Sequence, residues 1–287
     1  MKRWLLICCC GLMSVVAFAA PDPAGKRVVE ASMLVTGSIV IAPDGSVRSF
    51  AVDKPEKLSA AIRSVIDKTV GGWKFVPVVM DGRPVTAQTK MHLRLISAPI
   101  ADGNYAVRVA DASFTGDTPA EYERSGGTAV RRLPPKYPVG ALRARVGATV
   151  YLLVKVGNHG QVLDATAEQV NLDTLGTVRQ MAGLRDAFAN ASVAAALRWT
   201  YPPPTGGVQS SDAYVVMRVP LTFTINRSGA RPVDHYGRWQ TYVRGPREVV
   251  PWLDVAQMPA GGVDTIPDGS VLLLGQGPKL ATPVSGD

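Results

Sequence analysis

The sequence predicts an α+β fold of two small domains, each an antiparallel sheet backed by helix. Three observations predict it: stretches in which apolar and polar residues alternate, two segments with an apolar residue every three or four positions, and the recurrence of this order in both halves of the chain. The chain has 287 residues, of which 46% are apolar and 19% charged. That composition provides for sizeable cores and excludes a wholly disordered protein.

The N-terminus has the pattern of a secretory signal. A basic pair precedes an apolar run from Trp4 to about Val16, and Ala17-Phe18-Ala19 then offers the small residues that signal peptidase requires. We therefore interpret residues 1–19 as a cleaved signal peptide and expect an exported, periplasmic protein. The alternative is a retained inner-membrane anchor over residues 4–20, because this segment approaches the length of a spanning helix.

The three cysteines are consecutive, at positions 8–10, and lie inside this signal. Cleavage leaves no cysteine for a disulfide, a metal site or a nucleophile. It also removes Lys2 and Arg3 and lowers the formal net charge from +8 to +6. A basic excess suits nucleic acid, an anionic membrane surface or an acidic partner, and export disfavours nucleic acid. We interpret the local basic cluster within residues 131–145 as a solvated rim.

The first repeat of the pattern spans residues 35–95. An alternating strand leads to the turn Pro43-Asp44-Gly45, where glycine permits a positive φ. A helix with one apolar face follows over residues 58–69. Trp73-Lys74-Phe75-Val76-Pro77 ends it, because proline cannot continue a helix. A second alternating strand closes the repeat.

The second repeat spans residues 146–225 in the same order. A strand over residues 146–156 leads to the turn Asn158-His159-Gly160, and an apolar helical stripe follows over residues 184–198. The helix ends at Trp199-Thr200-Tyr201-Pro202-Pro203, and a closing strand follows. We expect the tryptophan of each exit segment to be a core residue.

Each closing strand has one apolar and one polar face. The polar side chains include His92 and Arg94 in the first repeat and Arg218 in the second, and we expect them to face solvent. Pro220 lacks an N–H, which predicts that the second closing strand is an edge of its sheet. An edge strand has free main-chain groups to which another extended chain can be added.

The segments outside the repeats are rich in turn-forming residues. Residues 98–130 contain several glycines and one strand-like stretch from Tyr105 to Val109. After Ile225 proline and glycine are frequent, and the tyrosines and tryptophans there predict that the segment packs in part on the second domain. The predicted organisation is a signal peptide (1–19), a first domain (28–97), a linker (98–130), a second domain (131–226) and a Pro/Gly-rich extension (227–287).

No constellation of residues predicts catalysis. His92, His159 and His235 have no second ligand at metal-binding spacing, and we expect all three on the surface. The chain has no phosphate-binding glycine loop, no nucleophile elbow and no paired carboxylates in an acid–base context. We therefore predict a protein that is not an enzyme and needs no cofactor or metal. The alternative, a hydrolase, requires a concave pocket of convergent polar groups.

An ordered set of short motifs runs through the second repeat. They are Tyr137-Pro138 followed by Ala141, Gly147 at the start of a strand, Gly160-Gln161-Val162, Ala194-Ala195-Ala196-Leu197-Arg198-Trp199, Pro203, and Val219-Pro220-Leu221-Thr222-Phe223. On these motifs, residues 134–225 resemble the C-terminal domain of TonB, the energy-transducing protein of Gram-negative envelopes. Residues 37–95 resemble a degenerate second copy that lacks a Tyr-Pro segment in front.

The resemblance implies a domain that binds a partner. In this family the closing edge strand, helped by the Tyr-Pro segment, accepts a short peptide of an outer-membrane receptor and transmits force to it. Carried over by position, the implied partner-binding residues are Tyr137, Pro138, Tyr214, Val216, Arg218 and Pro220.

Two functional hypotheses follow from the resemblance. The leading one is an exported TonB-like protein that binds an extended envelope peptide, such as that of a TonB-dependent outer-membrane receptor, by strand addition. The alternative is a membrane-anchored energy transducer for outer-membrane transport that retains residues 4–20. The family's transducers carry a histidine in the spanning helix, and residues 4–20 contain none, which favours the exported form.

Overall fold

A computed structural model describes residues 29–115, 131–202, 214–225, 234–253, 262–275 and 277–285. The predicted signal peptide lies outside the described residues, as does the alternative anchor segment. Among the described helices, none is both long and apolar enough to cross a membrane.

The described residues form eleven β-strands and three α-helices. The strands are β1 (Val29–Ile41), β2 (Val47–Val52), β3 (Val79–Met80), β4 (Arg83–Pro84), β5 (Ala87–Pro99), β6 (Tyr105–Thr115), β7 (Ala148–Gly157), β8 (Val162–Leu172), β9 (Tyr214–Phe223), β10 (Gln240–Val243) and β11 (Leu272–Leu273). The helices are α1 (Ala60–Gly71), α2 (Val139–Ala144) and α3 (Val178–Ala196).

Nine of these strands form one antiparallel sheet. Its order is β11-β9-β7-β8-β10-β1-β5-β6, and β2 pairs with a further stretch of β1, while β3 and β4 form a separate hairpin. The prediction of two small domains is therefore wrong. The fold is a single α+β domain in which one large antiparallel sheet is packed with helices.

Strand β10 is the element that joins the two predicted sheets into one. Its residue Val243 pairs with Val29 of β1 on one side and with Leu172 of β8 on the other. β10 is four residues long and lies in the Pro/Gly-rich C-terminal extension. So short a strand carries too little periodicity to be recognised in the sequence, and the merging of the sheets was missed for that reason.

The two repeats have the same local topology inside this sheet. In the first, β1 is flanked by β2 and β5, and α1 lies between β2 and β5 in the chain. In the second, β7 is flanked by β8 and β9, and α3 lies between β8 and β9. Each repeat is thus a hairpin followed by a helix and a third strand that returns beside the first.

Both hairpins turn at a glycine in the left-handed region. The φ angles are 80° at Gly45 and 81° at Gly160. Each glycine carbonyl accepts a 2.8 Å hydrogen bond from the exit segment, from the N–H of Phe75 and of Tyr201 respectively. A Cβ at either glycine would collide with the carbonyl oxygen of the same exit residue. Glycine is therefore required at both turns for two reasons: the positive φ angle, and the close approach of the exit-segment carbonyl to its Cα.

The helices lie on one face of the sheet and build two apolar cores. Ser59 caps α1 by accepting a hydrogen bond from the N–H of Ile62, and Thr177 with Gln180 forms a capping box at α3. Val29, Val243 and Leu172 are cross-strand partners and so share a face, which places α1 and α3 on the same side of the sheet. Buried helix residues include Ile62, Ile66 and Val70 of α1 and Met181, Phe188, Ala195 and Ala196 of α3.

The two tryptophans of the exit segments are core residues, as predicted. Trp73 and Trp199 are each only 2% exposed. The indole N–H of Trp199 donates a 2.8 Å hydrogen bond to the carbonyl of Leu133, in the Pro-rich stretch that precedes α2. The indole N–H of Trp73 donates to the carbonyl of Val284, at 3.1 Å. The indole of the first repeat therefore bonds to a carbonyl near residue 284, whereas that of the second repeat bonds to a carbonyl of the Pro-rich stretch.

Main-chain pairing extends this correspondence. In the second repeat Arg131 exchanges two N–H···O bonds with Thr200, at 3.0 and 3.2 Å. In the first repeat the N–H of Ala281 donates to the carbonyl of Lys74 at 2.8 Å, one residue after the tryptophan as in the second. The segment that appeared to be missing in front of the first repeat is thus supplied by residues 279–284.

Candidate functional site

Strand β9 is the element to which the sequence assigns partner binding. On one side it pairs with β7 over its whole length, from Tyr214↔Gly157 to Phe223↔Ala148. On the other side the described residues pair with it only through β11, in the register Leu272↔Arg218 and Leu273↔Met217. β9 is therefore next to the end of the sheet, and a two-residue strand of the same chain lies outside it.

The hydrogen bonds identify which main-chain groups of β9 point outward. The N–H of Leu274 donates to the carbonyl of Val216 at 2.8 Å. Because the groups of alternate residues point to the same side of a strand, those of Arg218, Pro220 and Thr222 also point outward. Pro220 has no N–H, so it leaves no unpaired donor on this side.

Residues 268–274 occupy this outward side. Leu274 bonds to Val216, Leu272 lies opposite Arg218, and the carboxylate of Asp268 accepts hydrogen bonds from the N–H and the hydroxyl of Thr222. Leu272 is 4% exposed and Leu274 is 9% exposed. The edge predicted to receive a foreign peptide is already filled by the protein's own extension.

The polar face of β9 does not face solvent, and that expectation is wrong. The Arg218 side chain is 1% exposed, and its Nε and Nη2 donate to the two carboxylate oxygens of Glu168, at 2.6 and 2.8 Å. Arg247 donates to the same carboxylate from its Nε at 2.8 Å. The reason is that the extension crosses this face of the sheet, where Val250 and Leu253 join a third buried apolar cluster.

Tyr214 and Val216 lie at the start of β9, beside this third cluster. Val216 is 5% exposed and belongs to the cluster, and Tyr214 is packed against it. The ammonium of Lys155 lies 3.9 Å from the centre of the Tyr214 ring and 5.9 Å from that of Trp252. Pro220, farther along the strand, is also buried.

Tyr137 and Pro138 lie at the other end of β9. The Tyr137 ring packs edge-on against Phe223, with 5.5 Å between ring centres, and its hydroxyl donates to the carbonyl of Val146 at 2.8 Å. Burial raises the pKa of this phenol. Pro138 is the N-cap of α2. Since a strand rises about 3.3 Å per residue, Tyr137 and Tyr214 are separated by nearly the whole length of β9, and the structure does not bring all six predicted residues together.

A second buried charge cluster was missed by the sequence analysis. Arg94, expected to face solvent, is 3% exposed and lies 2.9 Å from the carboxylate of Glu30, 2.7 Å from that of Asp111 and 3.3 Å from that of Asp264. Asp264 also accepts a 2.7 Å hydrogen bond from the Tyr242 hydroxyl. Burial, followed by the charge of Asp264, raises the pKa of Tyr242. Two of these partners lie in the extension, which has no periodic pattern to reveal them.

A groove of about 700 Å³ lies on the same face of the sheet, between the two repeats. Its lining includes Tyr151, Asn171, Thr222, Tyr242 and Asp264. The Asp264 carboxylate is already paired with two arginines. Within the described ranges no group of three or more His, Cys, Asp and Glu side chains could hold a metal ion.

His92, predicted on the surface, is buried as well. It is 5% exposed, and no described residue bonds to its Nδ1 or to the hydroxyl of its cross-strand neighbour Ser113. Burial lowers the pKa of His92 to about 4, with Lys90 lowering it further and Asp53 opposing the shift. His92 is therefore neutral in the folded protein at neutral pH.

We expect His92 to make the protein less stable as the pH falls. Between pH 6.5 and 4 the unfolded chain binds a proton at this position that the folded protein does not, so the free energy of unfolding decreases over that window. The decrease of this pKa from 6.5 to about 4 corresponds to roughly 3 kcal/mol at most. In urea unfolding at several pH values, His92→Leu should lose less stability than the wild type. The exposed His159, changed to leucine, serves as control and should behave like the wild type.

No known protein family, curated protein or solved structure matches the chain. The resemblance to the TonB C-terminal domain therefore stays a prediction from the motifs quoted above.

Proposed function

We propose that this protein is an exported, non-enzymatic binding protein of the TonB C-terminal type, which adds an extended envelope peptide to the outward side of β9. One observation carries the proposal: this side of β9 already takes an extended segment, β11, through antiparallel main-chain pairing. An edge that pairs with one extended segment has the geometry to pair with another.

The position of Pro220 supports the same function. Its missing N–H lies on the outward side, where a central strand would need a donor. The carbonyl of Val216 and the N–H of Thr222 bond to the extension and not to β7. An incoming strand that displaces the extension can therefore bond to both groups. The side chains from Val215 to Pro220 are buried on both faces of β9, so we infer that affinity comes chiefly from the main chain of the partner and from apolar contacts at the edge.

The proposed test measures strand addition directly. Synthetic peptides as long as the ten residues of β9 are taken from the periplasmic N-termini of the bacterium's outer-membrane receptors and titrated calorimetrically into the full-length expressed protein. For each peptide that binds, one version is N-methylated at the alternate residues whose N–H points toward β9, and a control version is N-methylated at the other residues.

Strand addition predicts that the first version loses binding and that the control keeps it, because only the first has lost its pairing donors. Equal binding of the two versions, or binding by no peptide of the panel, would contradict the proposed function.

The export half of the proposal has its own measurement. Mass spectrometry of the protein isolated from cells should find a mature N-terminus at Ala20. An intact Met1 would contradict cleavage and favour the anchored transducer.

A further inference from the structure

The equivalent edges of the two repeats are occupied very differently. In the first repeat the outer side of β5 pairs with β6 from Lys90↔Thr115 to Pro99↔Tyr105, almost along the whole strand. In the second repeat the outer side of β9, a ten-residue strand, pairs with the two residues of β11. The first edge is closed by a full hairpin, whereas the second is held by a short segment.

The short segment lies between two turns that each contain a glycine with a positive φ angle. Gly269 and Gly275 have φ angles of 79° and 77°, and neither has an atom within 4 Å of the place where a Cβ would lie. Glycines in such open turns can change their dihedral angles without a steric penalty. Residues 270–274 can therefore leave β9 by rotation at these two positions, and Asp268, which bonds to Thr222 through its carboxylate, can release it by side-chain rotation.

We propose that residues 268–274 are a built-in occupant of the β9 edge, which a longer extended peptide displaces. The proposal deepens the proposed function, on which the identity of the peptide rests. It adds that the binding site is closed in the free protein and that the peptide must compete with a tethered strand.

The competition selects for length. A tethered strand acts at an effective concentration on the order of millimolar, so a free peptide that makes only the contacts of β11 is excluded at micromolar concentration. A peptide that pairs along all of β9 forms additional main-chain bonds beyond Leu272 and Leu273, each contributing roughly 1 kcal/mol. Only a peptide that pairs with more residues of β9 than β11 does can overcome the high effective concentration of the tethered strand.

The competition also selects for composition. Val271 and Leu273 pack against the core under α3, while Leu274 packs against the third cluster with Leu153 and Val250. A peptide that displaces this segment must place apolar side chains against both clusters, because otherwise their apolar surface is exposed to water. The structure therefore points to a partner with about four consecutive apolar residues in an extended conformation, such as Val271 to Leu274 themselves.

A disulfide that locks β11 tests the proposal in a single protein. Met217 and Leu273 are opposite each other and flank the bonded pair at Val216, which makes them a non-hydrogen-bonded pair, with Cα atoms close enough for a disulfide. We replace both by cysteine in the full chain after changing the cysteines at positions 8–10 to serine. The probe is a fluorescein-labelled peptide with the sequence of residues 267–276 in which valine replaces Gly269 and Gly275, so that its ten residues can pair along the whole of β9 and make more contacts than β11.

The oxidised protein should bind this probe roughly 100-fold more weakly than the same protein after reduction, because the lock removes the exchange. Equal affinity in the two redox states would overturn the proposal. The comparison is internal, so any loss of stability from the cysteine substitutions affects both states alike, and circular dichroism verifies that both are folded.

A second variant opens the edge without cysteines. Leu272→Asp with Leu274→Asp places two charges where the native side chains are at most 9% exposed, so the segment should leave β9. The variant should bind the probe roughly 100-fold more tightly than the wild type and regain thermal stability when the probe is added. Val249→Asp, at an extension residue that is 85% exposed, is the control and should bind like the wild type. A double variant that binds no better than this control would overturn the proposal.

These outcomes separate the two proposals. Exchange of the probe without binding of any receptor peptide would leave the built-in occupant standing and contradict the proposed partner. Receptor peptides that bind the oxidised and the reduced protein equally would support peptide binding but overturn the inference that residues 268–274 control it.

Discussion

Replacing Glu168 by alanine is expected to destabilise the protein by about 3–5 kcal/mol. The Glu168 side chain is fully buried and balances Arg218, which is 1% exposed. Its removal leaves the guanidinium of Arg218 in an apolar interior without a counter-charge, and that is the costly state of a broken buried ion pair. Urea unfolding at pH 7 measures the loss, which should appear as a lower midpoint with an unchanged slope.

Two controls identify the cause of this loss. Glu248→Ala removes an exposed carboxylate from the same region and should change stability by less than about 0.5 kcal/mol. Glu168→Met combined with Arg218→Met removes both buried charges and should recover much of the loss, because apolar pairs can replace buried ion pairs. A double variant as unstable as Glu168→Ala would contradict the ion-pair explanation.

Truncation after Pro278 should have an effect of similar size. It removes the carbonyl of Val284, which accepts from the Trp73 indole, and the main-chain bonds of Lys279 and Ala281 with the first exit segment. With each net hydrogen bond contributing about 1 kcal/mol and Leu280 lost from the core, we expect a loss of roughly 4 kcal/mol. Trp73 fluorescence should shift to the red as water reaches the ring.

The matched control for this truncation is a chain that ends at Ser285. It keeps all of the contacts just named and should melt at the wild-type temperature. A chain ending at Pro278 that also melts like the wild type would show that residues 279–284 contribute nothing to the first core.

Local structure was predictable because it depends on neighbours in the sequence. The left-handed turns at Gly45 and Gly160, the two helices with an apolar stripe and the buried Trp73 and Trp199 follow from short patterns. The arrangement of the sheet was not predictable in the same way. It depends on β10 and β11, which are short strands in a segment without periodicity and which pair with strands far away in the chain.

At the candidate site, likewise, the strand itself was predicted, but the segments that cover it were not. Pro220 predicts an edge strand, and that is wrong, because β11 pairs with the outer side of β9. Alternation correctly predicts that β9 is a strand, but alternation reports only which face is polar. It does not report whether another segment covers that face. Arg94 and Arg218 are buried because the extension lies over them, and the acids that balance these arginines are distant in the sequence.

The position of the C-terminal segment has a consequence for the order in which the chain folds. Trp73 and its acceptor Val284 are 211 positions apart, and residues 279–284 are synthesised after both repeats. Contacts between residues so far apart form slowly, because the entropy cost of closing a long loop comes before the contacts contribute any stabilising energy. The first repeat cannot complete its core until residues 279–284 have been synthesised, so we expect it to fold late, although its strands and its helix lie early in the chain.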